Sequence, residues 1–433
     1  MMIISVLFLS GVGLGADASM KDDAFHYMKN GINDQIYNEW WYFNVIFNES
    51  QLFVVYLISD PDNLTLSRKI QVRAVVIEDE KTAATGLHHS RGFGGDLNSP
   101  TFDIDKSGFS SQDYSLKVWG EVNDQSTNEP IRWDLNYQPT VSPWFAVPVQ
   151  AQVGNLNGGW MKWLAYIPSA NVTGTLTLGN RTLDINGVGY HDHVWGRWAL
   201  NDPTFYWAEV SIPKDNFSLT IGDILENPQS TYLGLKYGGE TITFSDKQIK
   251  LIYTNFTFDN TTARIYPSGY LVLASSKDYK LETMIKVQKN VPLIADYPPP
   301  MPSYLIYGQV SDFQGILKSK SGEEYKFEEK GFSGYTTHKL HTIYGRIDGA
   351  DAANINITAT NERTGQKKID LTTSEGWFSF DADYLDYLTN STDPWIANGD
   401  KVKLEISDGT KKGNITVLLI NKAENRQEAN LNQ

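Results

Sequence analysis

Gln51-Leu52-Phe53-Val54-Val55-Tyr56-Leu57-Ile58 and Ile70-Gln71-Val72-Arg73-Ala74-Val75-Val76-Ile77 are runs of β-branched and aromatic residues, each closed by a turn rich in Asp or Glu. Such runs read as strands. Outward from them, Ser115-Leu116-Lys117-Val118-Trp119 and Gly174-Thr175-Leu176-Thr177-Leu178 alternate at period two. Convincing helical periodicity is almost absent. Short strands spaced by Gly, Asn and Asp turns predict an all-β chain of barrels or sandwiches.

At 433 residues the chain exceeds one ordinary core, so two or three domains are expected. Asn201-Asp202-Pro203 closes a dense aromatic segment and separates a first unit, 19–200, from a second, 201–340. Pro298-Pro299-Pro300-Met301-Pro302 is stiff and extended but falls inside the second unit, because strand-like sequence resumes at Tyr304. The character then changes. Ile343-Tyr344-Gly345-Arg346-Ile347-Asp348-Gly349, Glu375-Gly376-Trp377-Phe378-Ser379-Phe380 and Asn398-Gly399-Asp400-Lys401-Val402 are alternating strands with Gly turns. They resemble the carboxypeptidase regulatory-like, immunoglobulin-type β-sandwich, which places a third domain at 341–420. The polar stretch 421–433 is expected to be a disordered tail.

The first residues, 1–18, read as a signal peptide: an apolar run from Met2 to Gly15 too short to span a bilayer, then Ala16-Asp17-Ala18 at cleavage spacing. No Lys or Arg precedes that run. Zero cysteines exclude disulfides, zinc–thiolate sites and thiol nucleophiles. Asn-x-Ser/Thr triplets begin at Asn48, Asn63, Asn171, Asn180, Asn216, Asn255, Asn260, Asn356, Asn390 and Asn414, more than the roughly four or five expected by chance. Together these features predict a secreted or cell-surface glycoprotein. The net charge of −14 with no basic run argues against nucleic-acid binding.

Two segments carry the chemistry: Glu39-Trp40-Trp41-Tyr42-Phe43-Asn44, and Gly187-Val188-Gly189-Tyr190-His191-Asp192-His193-Val194-Trp195-Gly196-Arg197-Trp198. Phe205-Tyr206-Trp207 follows closely. Read as a strand, the second segment puts Tyr190, Asp192 and Val194 on one face and His191, His193 and Trp195 on the other. An acid beside a phenol, looking into an apolar barrel, is a candidate proton donor. An ordinary Asp is neutral in only about one molecule in a thousand at pH 7, so this role needs a pKa raised by about three units. Neighbouring aromatic faces would stabilise a carbocation. The competing reading makes Asp192 an ionised structural carboxylate, paired with Arg197 or holding a His ring. His191-x-His193 could also join His88 and His89 around a metal ion, but no third ligand stands at a telling spacing, so no metal is assigned. A Gly-x-Ser-x-Gly elbow is absent.

Glu39-Trp40-Trp41-Tyr42 together with Gly-x-Gly-Tyr190-x-Asp192-His193-x-Trp195-Gly resembles the carotenoid 1,2-hydratase (hydroxyneurosporene synthase) and AttH-like family over roughly 25–340. The resemblance implies two tandem lipocalin-like β-barrels, followed here by the immunoglobulin-like sandwich. It implies hydration of an isoprenoid double bond without metal or organic cofactor, with Asp192 as general acid and Tyr190 as its partner. Relatives with this fold include cyclases, so fold alone leaves the reaction open. The family's upstream His-x-Trp pair meets Gly159-Trp160-Met161-Lys162-Trp163 here, with no histidine, and Glu39 or His193 is the candidate replacement. Trp40, Trp41, Tyr42, Trp195 and Trp198 are expected to shape the substrate pocket. The expected partner is a hydrophobic small molecule, isoprenoid or lipid, with peripheral membrane contact. The alternatives are a non-catalytic lipid carrier and a cyclase or pericyclase that imposes shape on its substrate.

Overall fold

The computed structural model describes residues 18–27, 37–64, 68–78, 81–112, 115–152, 159–198, 204–225, 230–295, 303–339, 342–347, 352–381, 400–407, 412–418 and 426–428. The apolar segment read as a signal peptide and the proline run at 298–302 lie outside them, apart from Ala18.

The chain is nearly all β, as two curled sheets that form tandem lipocalin-like barrels. The first sheet contains β1 (Tyr37–Phe47), β2 (Ser50–Ser59), β3 (Lys69–Glu78), β4 (Lys81–His89), β5 (Gly94–Gly95), β6 (Thr101–Ile104), β7 (Ser107–Gln112), β8 (Ser115–Asn123), β9 (Pro130–Pro139), β10 (Trp144–Gln152), β11 (Trp160–Leu178) and β12 (Arg181–Arg197). Its order is β4-β3-β2-β1-β12-β11-β9-β8-β7-β6-β5, with β10 also paired to β11. An isolated bridge between Gly86 and Asp124 brings β4 round to the far side and curls the sheet on itself.

The second sheet contains β13 (Phe205–Ile212), β14 (Phe217–Ile224), β15 (Ser230–Tyr237), β16 (Glu240–Phe244), β17 (Ile249–Asp259), β18 (Arg264–Ser275), β19 (Tyr279–Ala295), β20 (Ser303–Ser319) and β21 (Glu324–Lys339). Its order is β16-β15-β14-β13-β21-β20-β19-β18-β17.

Strand composition follows what covers each face. In β8 and β9 buried residues alternate with half-buried or exposed ones, because one face meets the barrel interior and the other is turned toward water. In β1, β2 and β3 both faces are largely buried, and apolar residues correspondingly occupy both registers of the pleat. Their inner face, with Trp41, Phe43, Tyr56 and Val72, belongs to the core of the first barrel. Their outer face, with Tyr42, Phe53 and Val75, packs with Ile224, Leu293, Val310 and Phe332 of the second sheet. The second barrel keeps its own core around Tyr206, Leu219, Tyr270 and Phe313. Apolar area buried between the sheets adds to that buried inside each barrel.

Two glycines make this contact close. A Cβ on Gly222 of β14 would collide with the Trp163 ring, and one on Gly234 of β15 would collide with Trp144. The N-terminal stretch 18–27, with a 3-10 turn at Met20–Asp23, packs against the first barrel through Phe25, which stacks on Trp41 and Phe102.

Beyond residue 341, β22 (Thr342–Arg346), β23 (Asn356–Asn361), β24 (Lys367–Leu371), β25 (Trp377–Asp381), β26 (Lys401–Ser407), β27 (Lys412–Leu418) and β28 (Arg426–Glu428) make two small sheets. These enclose one core around Ile343, Ile357, Phe378 and Leu404. Within the stretch expected to be a disordered tail, β28 instead pairs in parallel with β22 and gains a ladder partner there. No helix among the described residues is long and apolar enough to cross a membrane.

Candidate active site

Three adjacent strands build the site. β12 pairs with β1 so that Asp192 lies opposite Tyr42, and with β11 so that Asp192 lies opposite Ala165. The pleat sends Tyr190, Asp192 and Val194 to the outer face and His191, His193 and Trp195 to the inner one. The expected location is corrected here: Asp192 looks out of the first barrel, into the cleft between the two sheets. The physical reason is that the inner face is already filled by aromatic rings and by the stretch 18–27, which leaves open space only between the barrels.

A cavity of about 200 Å³ occupies that cleft. From the first sheet it is lined by Trp40, Tyr42, Phe53, Met161, Trp163, Asp192, Val194 and Trp198, and from the second by Trp207, Ile224, Leu293, Ile306 and Phe332, among others. Polar side chains reach it from both sheets: Asn38, Ser59, Gln71 and Arg73 from the first, and Asp223, Gln309 and Thr336 from the second. Ser59 Oγ donates to Asn38 Oδ1 at 2.6 Å there.

Asp192 is buried and accepts two hydrogen bonds on Oδ2, from Trp163 Nε1 at 2.9 Å and from Tyr190 Oη at 2.9 Å. With Oδ2 occupied by two donors, the proton of the neutral acid belongs on Oδ1. Burial raises the pKa and outweighs the two hydrogen bonds, which lower it; the carboxyl ends at about 6. The Tyr190 phenol is pushed well above its ordinary value by burial and by the neighbouring carboxylate, so it serves as a donor.

Close by is a second buried acid that the sequence reading did not single out. Glu209, on β13, accepts from Asn44 Nδ2 at 2.7 Å, and that same amide approaches the Tyr42 hydroxyl at 3.2 Å. Burial lifts Glu209 to about 8, and the charge of Asp192 adds to the effect. Its signal was weak: one Glu two residues after Phe205-Tyr206-Trp207, on a strand whose alternate residues fill the second barrel.

The other expected site residues divide between the two faces. Trp40, Tyr42 and Trp198 line the cavity with Asp192. Trp41, Trp195, Glu39 and His193 sit on the inner face, in or beside the core of the first barrel. Glu39 and His193 therefore do not replace the missing histidine at Asp192, because the sheet itself separates them from the acid. On the acid's own face, Trp163 supplies the neighbouring-strand contact to Asp192. His193 Nε2 lies 3.0 Å from Glu39 Oε1, and His191 Nε2 lies 3.1 Å from Asp23 Oδ2, inside the barrel. His88 pairs with Asp105 at 2.7 Å, and His89 is exposed, so neither joins His191 and His193. Arg197 lies over the Tyr37 ring, 5.4 Å from its centroid, and Asp192 takes its bonds from Trp163 and Tyr190.

No protein-family model matches the chain, and no curated protein matches it in sequence. Among solved structures, the chain is similar to a putative AttH protein from Nitrosomonas europaea, at 14% identity and a TM-score of 0.54, over 76% of this chain and 98% of that one. It is also similar to kievitone hydratase from Nectria haematococca (15% identity, TM-score 0.46, 69% and 88% covered) and to CghA (12%, 0.48, 75% and 97%). What the chain shares with the AttH protein is the fold of its two barrels.

Proposed function

We propose that the chain is a hydratase of the hydroxyneurosporene synthase type, which adds water to a double bond of a hydrophobic isoprenoid held between the two barrels. The observation that carries this reading is Asp192: a buried carboxyl on the wall of an apolar cavity, with its two donors on one oxygen and a pKa of about 6. At pH 7 about one molecule in ten then holds the proton, a hundredfold gain over an ordinary Asp.

In the proposed step Oδ1–H of Asp192 protonates one alkene carbon and leaves a carboxylate. The cation on the other carbon faces the Trp40, Trp198 and Trp207 rings, which stabilise positive charge. Water adds to that carbon, and its surplus proton returns to Asp192. The sum is addition of one water with no change in redox state, so the chemistry requires no electron carrier.

The cavity's size bears on the substrate. About 200 Å³ is modestly more than the ~150 Å³ that accommodates benzene in a designed protein void, so it encloses the reacting end of an isoprenoid, with the remaining chain toward the opening. A second reading, a lipid carrier without catalysis, draws on the same apolar lining and on the absence of the upstream histidine.

Mass spectrometry of organic-extractable material bound to the purified protein, together with hydration assays on Asp192→Asn, tests both. An isoprenoid ligand with hydration lost in the variant supports the hydratase. A bound lipid with no hydration by either protein leaves the carrier. An empty polar site overturns both.

Export and glycosylation form part of the proposal. The Asn of the triplets at Asn48, Asn63, Asn171, Asn180, Asn216, Asn255, Asn260 and Asn356 are all exposed, as glycosylation requires. A mass decrease on deglycosylation of the protein from its native source tests this part. Contact with a membrane surface is proposed as the route by which an apolar substrate reaches the cleft.

A further inference from the structure

The first barrel holds another polar constellation, on the face of the sheet opposite Asp192 and independent of the acid chemistry there. We propose that His26, Glu39 and His193 bind a divalent transition-metal ion, zinc by ligand type, inside this barrel beside the stretch 18–27.

Spacing is the first ground. One ligand atom from each of the three residues lies within 4.8 Å of the others. His193 Nε2 is 3.0 Å from Glu39 Oε1, and His26 Nδ1 is 3.5 Å from the same oxygen. Ligands bonded tetrahedrally to zinc at ~2.0–2.1 Å stand roughly 3.3 Å apart, so these atoms are at coordination spacing.

Unsatisfied atoms are the second ground. Among the described residues, the buried atoms His26 Nδ1, His193 Nδ1 and Asp23 Oδ1 have no hydrogen-bond partner. The His193 and Asp23 side chains are fully enclosed. His193 Nδ1 and Asp23 Oδ1 face each other at 3.3 Å, so the atom that points to an ion is His26 Nδ1, enclosed and 3.5 Å from Glu39 Oε1. Glu39 Oε1 is crowded as well, since it already accepts the His26 backbone N–H at 2.8 Å while facing both imidazoles.

The surroundings orient the ligands as outer partners do in metal sites. Asp23 Oδ1 stands 3.3 Å from His193 Nδ1, behind the ring whose Nε2 meets Glu39. The Tyr37 hydroxyl and the Tyr27 backbone N–H donate to Glu39 Oε2 at 2.7 and 3.2 Å and fix the carboxylate so that Oε1 is the oxygen facing both imidazoles. The rings are held by stacking: His26 on Trp195 at 4.0 Å, and His193 on Trp41 at 4.5 Å. The His26 side chain is 27% exposed, which provides a way in and room for a water as fourth ligand. The competing account is a purely structural ion network, in which Glu39 pairs with His193 and no metal enters.

Zinc(II) and cobalt(II) titrations of the EDTA-stripped full-length protein decide between them. The expected result is one equivalent of zinc per chain and a visible absorption band from a nitrogen–oxygen-ligated cobalt ion. His26→Gln, in the half-exposed segment, should weaken zinc more than ~100-fold, since an outer-partner change alone costs about 10–100-fold. Its circular dichroism and Tm without metal should be unchanged. His88→Gln, at the surface pair with Asp105, should bind zinc normally. Glu39→Gln should weaken zinc likewise; should it fail to fold, the cobalt spectrum of the native chain and the His26→Gln affinity still decide. No saturable binding, or one-equivalent binding that survives His26→Gln, overturns the site.

Discussion

Trp163 donates its indole N–H to Asp192 Oδ2 at 2.9 Å, from the strand next to the one that carries the acid. The indole has room because Gly222 on the second sheet has no side chain to oppose it. Position 161, two residues before this tryptophan, is Met161, and it also lines the cavity. Met161 and Trp163, alternate residues of β11, thus reach the cavity from one face of that strand, and no histidine stands in Gly159-Trp160-Met161-Lys162-Trp163.

Asp192→Asn keeps an acceptor for both Trp163 and Tyr190 while removing the transferable proton. Hydration of an isoprenoid alkene should fall by about 10²- to 10⁴-fold, the usual range for one general acid. Ligand affinity should stay within a few-fold. Parallel turnover and binding measurements check this, and undiminished turnover removes Asp192 from the reaction.

The proposed reaction uses the protonated acid, whose pKa stands at about 6. The rate should therefore be flat below that value and fall about tenfold per pH unit above it. Trp163→Phe deletes a hydrogen bond that lowers the pKa. A hydrogen bond to a charged group contributes about 1.5–3 kcal/mol, so the falling limb should move up by roughly one to two pH units. A profile that moves down, or not at all, contradicts the assigned polarity of this contact.

Glu209 makes stability depend on pH. Its carboxyl is raised from 4.5 to about 8, so its contribution is fully present below the unfolded pKa and is lost as pH rises through about 8. Ionising it where it is buried between the sheets costs several kcal/mol at alkaline pH. Glu209→Gln retains an acceptor for Asn44 and should flatten the decline in Tm between pH 6 and 9, by roughly 5 °C or more at the upper end. Thermal melts at the two pH values provide the check.

Gly222→Ala should act through Trp163. The new Cβ collides with the indole, and small-to-large changes at a packed contact cost about 1–3 kcal/mol. Tm should drop, and hydration should drop further than folding alone explains, because the donor to Asp192 is displaced. Trp163→Phe combined with Gly222→Ala should show a smaller loss than the two single changes added, since they share one contact.

Much of the architecture was legible in the chain. Strand composition and turn spacing predicted an all-β protein, because β-branched runs and Gly/Asn turns act locally. The alternation of Tyr190, Asp192 and Val194 against His191, His193 and Trp195 was equally local, since the pleat reverses side chains at every residue.

Which face meets what was not legible. Apolar residues in both registers of β2 and β3 required cover on both sides, but only the tertiary structure showed that the second cover is another barrel. That packing decided that Asp192 faces a cavity between the barrels while Glu39 and His193 face the closed interior of the first. It also brought in Trp163 and Glu209: Trp163 reaches Asp192 across 29 residues, and Asn44 reaches Glu209 across 165. Strand pairing and sheet-on-sheet contact set such separations, and no local pattern encodes them. The sequence by itself determined which side chains share a face; the packing of one sheet on the other determined which face could hold a ligand.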